Sequence, residues 1–97
     1  MEIKVQSVKF DADQKLLDFV DKKVGKIEKF YDNIVRTDVT LSLISDHANK
    51  NVKIRVCIPG NDIIVERSAS RFEDAVVDCV DVINKQLVSR KEKQRQK

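Results

Sequence analysis

Lys15, Lys22, Lys26 and Lys29 are spaced seven, four and three residues apart. On an α-helix, at about 100° per residue, they fall in one stripe about 60° wide. Asp18, Asp21 and Glu28 fall in the adjacent stripe, and the apolar arc from Leu16 through Val24 lies beyond. Lys23 flanks that arc, where its stem can be buried while its ammonium emerges. Ammonium groups about one turn apart can follow a line of phosphates. The same spacing also serves a solvated face, and the residues alone leave both readings open. Gly25, read on the exposed side of this helix, either lets a ligand backbone approach or is tolerated at about 1 kcal/mol against alanine.

A second basic group closes the chain. Residues 85–97 hold six basic residues (Lys85, Arg90, Lys91, Lys93, Arg95, Lys97) against Glu92, a net of +5. Residues 1–84 carry 13 basic and 15 acidic groups, a net of −2, so the overall charge of +3 originates in this end. Such a tail, here about residues 89–97, suits an anionic partner, most simply nucleic acid; a solubilising end is the alternative.

Catalytic chemistry finds little support. His47 is the sole histidine, beside Asp46 in a polar stretch that reads as a turn. There is no serine–histidine–acid set, glycine-rich phosphate loop or metal-ligand spacing. Asp78 and Asp81 share the polar side of a helix, which is weak support for a cation site or an acid–base pair. Cys57 and Cys79 fit no metal motif and are too few for a disulfide scaffold, which favours a reducing compartment. Tyr31 falls in the apolar arc and reads as packing. The expectation is a non-enzyme without cofactor or metal.

Ninety-seven residues, 41% hydrophobic and 36% charged with mixed sign, make one folded domain over 1–97. No apolar run approaches the ~18 residues of a membrane span, and the N-terminal MEIKVQSVKF has no signal-peptide pattern. A cytoplasmic protein, without membrane contact and monomeric when free, is expected.

Six elements must position these charges. Residues 2–10 alternate as a strand. Asp11 and Gln14 suit a helix start, and Leu16, Leu17, Val20, Val24, Ile27 and Tyr31 carry the helical period to Asp32-Asn33. Residues 34–45 alternate again, with Val35, Thr37, Val39, Leu41 and Leu43 on one face. A turn at 46–51, a strand at 52–58, a tight turn at Pro59-Gly60-Asn61 and a strand at 62–69 follow. Ser70 to Glu73 reads as a capping box before a second helix with Phe72, Val76, Val80, Ile83 and Leu87 on one stripe. Acids at its start and bases at its end complement the helix dipole. The order β-α-β-β-β-α predicts an α+β fold. A helical crossover makes the first strand parallel to the second, a meander joins the rest, and both helices cover one face of a four-stranded sheet.

Over nearly its full length this pattern resembles the short ribosome hibernation factors, also called ribosome-associated inhibitors or hibernation-promoting factors. The resemblance is carried by FVDKKVGKIEKFYDNI, by the charged meander, and by DAVVDCVDVINKQLVSRKEK. It implies an arrangement similar to double-stranded-RNA-binding domains. It also implies binding to the small ribosomal subunit and its ribosomal RNA, over the sites used by messenger and transfer RNA, as a stress or stationary-phase inhibitor of translation. The positions carried over are Lys23 and Lys26 on the first helix and Lys85, Lys91 and Lys93 on the second. Lys22, Lys29 and Arg90 join them from the charge pattern. Val77 and Asp78 are shifted from the family's small-acid pattern, and Arg71 stands where an acid is common. Longer members carry a second, dimerising domain; this chain, ending at Lys97, reads as a short member. The competing reading is a protein-interaction module whose open sheet face, with Lys53 and Arg55, meets an acidic partner.

Overall fold

The computed structural model describes residues 1–45 and 47–95, with side chains as far as Lys91 in the last helix. Strand β1 (Glu2–Ser7) leads to helix α1 (Gln14–Gly25), which continues as a 3₁₀ turn (Lys26–Lys29). Strands β2 (Arg36–Leu43), β3 (Lys50–Cys57) and β4 (Ile63–Ala69) precede helix α2 (Phe72–Arg95). The sheet order is β1-β2-β3-β4, with β1 parallel to β2 and the other pairs antiparallel. The expected element order and pairing are thus the observed ones.

Alternation builds the core. Thr37, Val39 and Leu41, then Val52, Ile54 and Val56, then Ile63 and Val65 turn one face of the sheet inward. Val20, Val24 and Ile27 from the first helical segment close over it, together with Phe72, Ala75, Val76, Cys79, Val80, Ile83 and Leu87 from α2. Phe10 stacks on Phe72 with ring centroids 5.1 Å apart. Tyr31 packs half-buried against the same core, as expected, although it lies past the end of the helical segment. Buried Thr37 donates its hydroxyl to the Met1 sulfur at 3.0 Å.

Local details depart from the sequence reading. The cap of α1 is Asp13, not Asp11: its carboxylate accepts the Leu16 amide at 2.9 Å. Gln14 reaches forward to Asp18 at 2.8 Å instead of back. The helix ends at Lys29, not at Asp32, where the Phe30 amide donates to the Ile27 carbonyl at 3.0 Å, the i→i−3 bond of a 3₁₀ turn. Gly25 is half-buried, and a Cβ there would meet the Ile3 Cδ1 at 4.0 Å, so it faces β1 and not an open ligand surface. Strand β2 is shorter than the 34–45 alternation, running from Arg36 to Leu43, and Val35 just before it and Leu43 at its end are exposed. Strand β3 begins at Lys50, two residues before the expected start of the strand at Val52; Asp46 lies outside the described residues. Gly60 takes φ +95°, the conformation for which the turn needs glycine. At α2 the Ala75 amide donates to the Arg71 carbonyl, which makes Arg71 the cap, and Glu73 pairs with Arg71 at 3.5 Å rather than closing a box with Ser70.

Cys79 is wholly buried, its sulfur 3.5 Å from the Val52 carbonyl oxygen. Burial in this apolar layer pushes its thiol up to about 11 from an ordinary 9.0. The unfolded thiol therefore ionises first as pH rises. The stability that the neutral buried thiol contributes is complete below pH 9 and is lost between about 9 and 11. Denaturant titrations should show the stability gap between wild type and Cys79→Ala shrinking by about 2 kcal/mol from pH 8 to pH 11.

Candidate nucleic-acid interface

The expected cations lie mostly on the helical layer. Lys22 and Lys23 occupy the last turn of α1, and Lys26 and Lys29 the 3₁₀ turn. A 3₁₀ turn has three residues per turn, so Lys29 stands directly above Lys26 instead of lagging behind it. Lys22, Lys26 and Lys29 are exposed. Lys23 is half-buried along its stem, and its ammonium lies 5.7 Å from the centroid of the Phe19 ring, a cation–π contact that restrains it. Among the described residues none of these four lysines sits in an ion pair. Their charge is therefore open to an external anion.

Helix α2 contributes the facing side. Val77, Val80, Asp81 and Asn84 recur at i, i+3, i+4 and i+7, one stripe turned toward α1. Between this stripe and Lys23, Lys26 and Phe30 runs a groove of about 270 Å³. A shallower cleft of about 190 Å³ further along joins Lys91 to Tyr31, Asp32 and Asn33 at the exit of the 3₁₀ turn. Exposed Lys85 lies on α2 between these two sites in sequence. Arg90 is turned elsewhere: its guanidinium donates to the Asn61 carbonyl at 2.9 Å in the β3–β4 turn. Lys93 belongs to α2, but its side chain lies outside the described residues, as do residues 96–97 of the basic end. Phe30, Val77 and Asn84 were not singled out as site residues by the sequence. The i, i+3, i+7 spacing of Lys23, Lys26 and Phe30 against the α2 stripe was the available signal.

The open face of the sheet is the competing surface. Lys4, Gln6, Arg36, Asp38, Thr40, Lys53 and Arg55 surround a concavity of about 450 Å³. Two of its four cations are already engaged. Arg36 donates to Asp38 at 3.3 Å, and Arg55 to Asp62 at 2.7 Å. These hydrogen bonds, with the charge of the same carboxylates, raise both guanidinium pKa values further. The sheet therefore offers less unpaired charge than the helices.

Among the described residues no group of three or more His, Cys, Asp or Glu could hold a metal ion, and no helix is long and apolar enough to cross a membrane.

A family model described as sigma 54 modulation protein / S30EA ribosomal protein matches residues 3–95. A Pseudomonas putida protein named ribosome hibernation promoting factor is 23% identical over 95 residues, covering 98% of this chain and 91% of its own. Two solved structures share the fold. One, a ribosomal subunit interface protein from Coxiella burnetii, aligns with a TM-score of 0.83 at 21% identity, over 95% of this chain and 99% of that one. The other, the N-terminal domain of Thermus thermophilus Protein Y, aligns with a TM-score of 0.79 at 24% identity, over 92% and 98%.

Proposed function

This chain belongs to the sigma 54 modulation protein / S30EA ribosomal protein family, and on that premise we propose that it is a ribosome hibernation factor. It binds the small ribosomal subunit as a monomer, in the cytoplasm, and silences translation under stress by occupying the messenger and transfer RNA sites. The mechanism is exclusion, without bond making or breaking. The observation that carries the docking face is the set of lysines at the α1 end, Lys22, Lys23, Lys26 and Lys29, unpaired among the described residues, of which Lys23 and Lys26 line a groove shared with α2. Lys85 and Lys91 extend this cationic surface along α2, with Lys93 assigned from sequence alone; Arg90, held by Asn61, is assigned a lesser part. RNA duplexes hide the deep groove from side chains, so these contacts read phosphate positions and shape rather than base sequence.

Sedimentation tests the reading. The purified protein should travel with isolated small subunits in a sucrose gradient at low salt and dissociate steeply as salt rises. Each phosphate contact contributes about 0.7 to 0.9 to the logarithmic salt slope. Protein that remains at the top of the gradient with vacant subunits in excess would rule the function out. Binding with a nearly flat salt response would instead favour a protein contact through the sheet.

A further inference from the structure

We propose that the groove between the 3₁₀ turn and α2 is a base pocket that takes one unpaired guanine of an RNA strand, with the flanking phosphates on Lys23 and Lys26. This rests on the RNA reading above and deepens it, since phosphate contacts alone do not explain what lines the groove.

Three features ask for an occupant. Phe30, at the end of the 3₁₀ turn, and Val77, across from it, are 38% and 37% exposed, while Val80 beside them is buried. Aromatic and aliphatic walls of this kind accept a flat ring, and unpaired RNA bases stack on such side chains. The volume, about 270 Å³, is below the range for drug-sized ligands and suits one planar group. Second, the Asn84 Oδ1 is buried and has no hydrogen-bond partner among the described residues. An unsatisfied buried acceptor is a standing cost that a ligand donor would remove. Third, Asp81 is exposed one helical turn before Asn84 and lines the same groove. An ionised carboxylate only accepts hydrogen bonds. Beside Lys23 and Lys26 it would repel a phosphate backbone, so it suits RNA only where the RNA presents donors.

Those donors select the base. The pairing edge of guanine carries N1–H and N2–H₂ side by side. Adenine and cytosine present one amino group next to acceptors, and uracil a single N–H between two carbonyls. Guanine alone can give a carboxylate two parallel hydrogen bonds. Each such bidentate pair discriminates strongly between bases, about tenfold or more.

The test uses the whole chain and uridine pentaribonucleotides whose central base is G, A, C, U or inosine, the last lacking the N2 amino group. Binding is followed by NMR of the Val77 and Val80 methyls and the Asn84 side-chain amide. The central-G strand should bind about tenfold more tightly than the all-uridine strand and shift these signals first, with inosine falling between them. Phe30→Ala should weaken the G strand about tenfold and leave the salt slope of small-subunit binding unchanged. Asp81→Asn should abolish the preference for G over inosine. Lys23→Glu with Lys26→Glu should weaken all five strands alike. Equal affinity for the five strands, shifts confined to the sheet face, or no binding at millimolar strand would overturn the base pocket. If small-subunit sedimentation persists in that case, only the pocket falls; if sedimentation fails too, the ribosome reading falls with it.

Discussion

Lys23→Glu together with Lys26→Glu should lower affinity for the small subunit by about a hundredfold at low salt and reduce the logarithmic salt slope by about two units. Both residues line the α1 side of the groove, and neither is in an ion pair among the described residues. Charge reversal removes two phosphate contacts and adds repulsion. The cost to folding is small by comparison. Lysine and glutamate have similar helix propensity. The Lys23 contact with Phe19 is lost, and carboxylates move toward the C-terminal end of the helix dipole, together about 1 kcal/mol. Cell-free translation that the wild type inhibits should recover in the presence of this variant. The matched control is Lys4→Glu with Lys53→Glu, on the open sheet face. If the control pair abolishes binding while the helix pair leaves it intact, the docking face is the sheet.

The fold was legible because its periods are clean. Val52, Ile54 and Val56 alternate with charged or polar neighbours, and the buried stripe of α2 recurs at helical spacing from Phe72 to Leu87. Burial stops where cover stops, however, and cover is not written in a strand's own residues. Val35 continues the alternation of β2 and is nonetheless 63% exposed. The change from α to 3₁₀ after Gly25 was hidden for a related reason. Val24 and Ile27 are three residues apart, a spacing that both helix types turn inward. Asp11 reads as the cap in the sequence, but Asp13 carries the same side chain, and only the one whose carboxylate reaches the Leu16 amide serves.

The candidate site was half legible. Lysines on one helix show their own spacing, so Lys22, Lys23, Lys26 and Lys29 could be grouped from sequence. Which row of α2 faces them depends on how the two helices pack, and that placed Val77, Asp81 and Asn84 opposite Lys23 and Lys26. The same packing separated Arg90 from its basic neighbours. Three residues beyond buried Leu87, it lies on the side of α2 that reaches the β3–β4 turn. A net charge counted along the chain could not distinguish it from Lys91, which lies beside Tyr31.

Ile27→Ala should produce the largest loss of stability among substitutions near the interface. Ile27 is fully buried between Lys26 and Glu28, and it ties the 3₁₀ turn to the core. Removing three carbons from such a site leaves a cavity that the sheet and α2 cannot readily fill, at about 3 kcal/mol. In a domain of this size each kilocalorie lowers Tm by about 4–8 °C, so thermal unfolding should move down by about 15 °C. Ile27→Val, one methylene smaller, should cost about 1 kcal/mol. The functional consequence follows from what the turn carries. Lys26, Lys29 and Phe30 depend on its geometry for their spacing, so a loosened turn should weaken small-subunit binding even well below Tm, while the valine variant binds normally. Val35→Ala, at an exposed position just before β2, should change stability by no more than about 0.5 kcal/mol. Urea titrations of the three variants, read alongside sedimentation, separate the two effects. A loss below 1 kcal/mol for Ile27→Ala would mean that the turn is held by its neighbours and not by this side chain. Normal binding by a strongly destabilised Ile27→Ala would mean that the lysines do not need the turn to hold their positions.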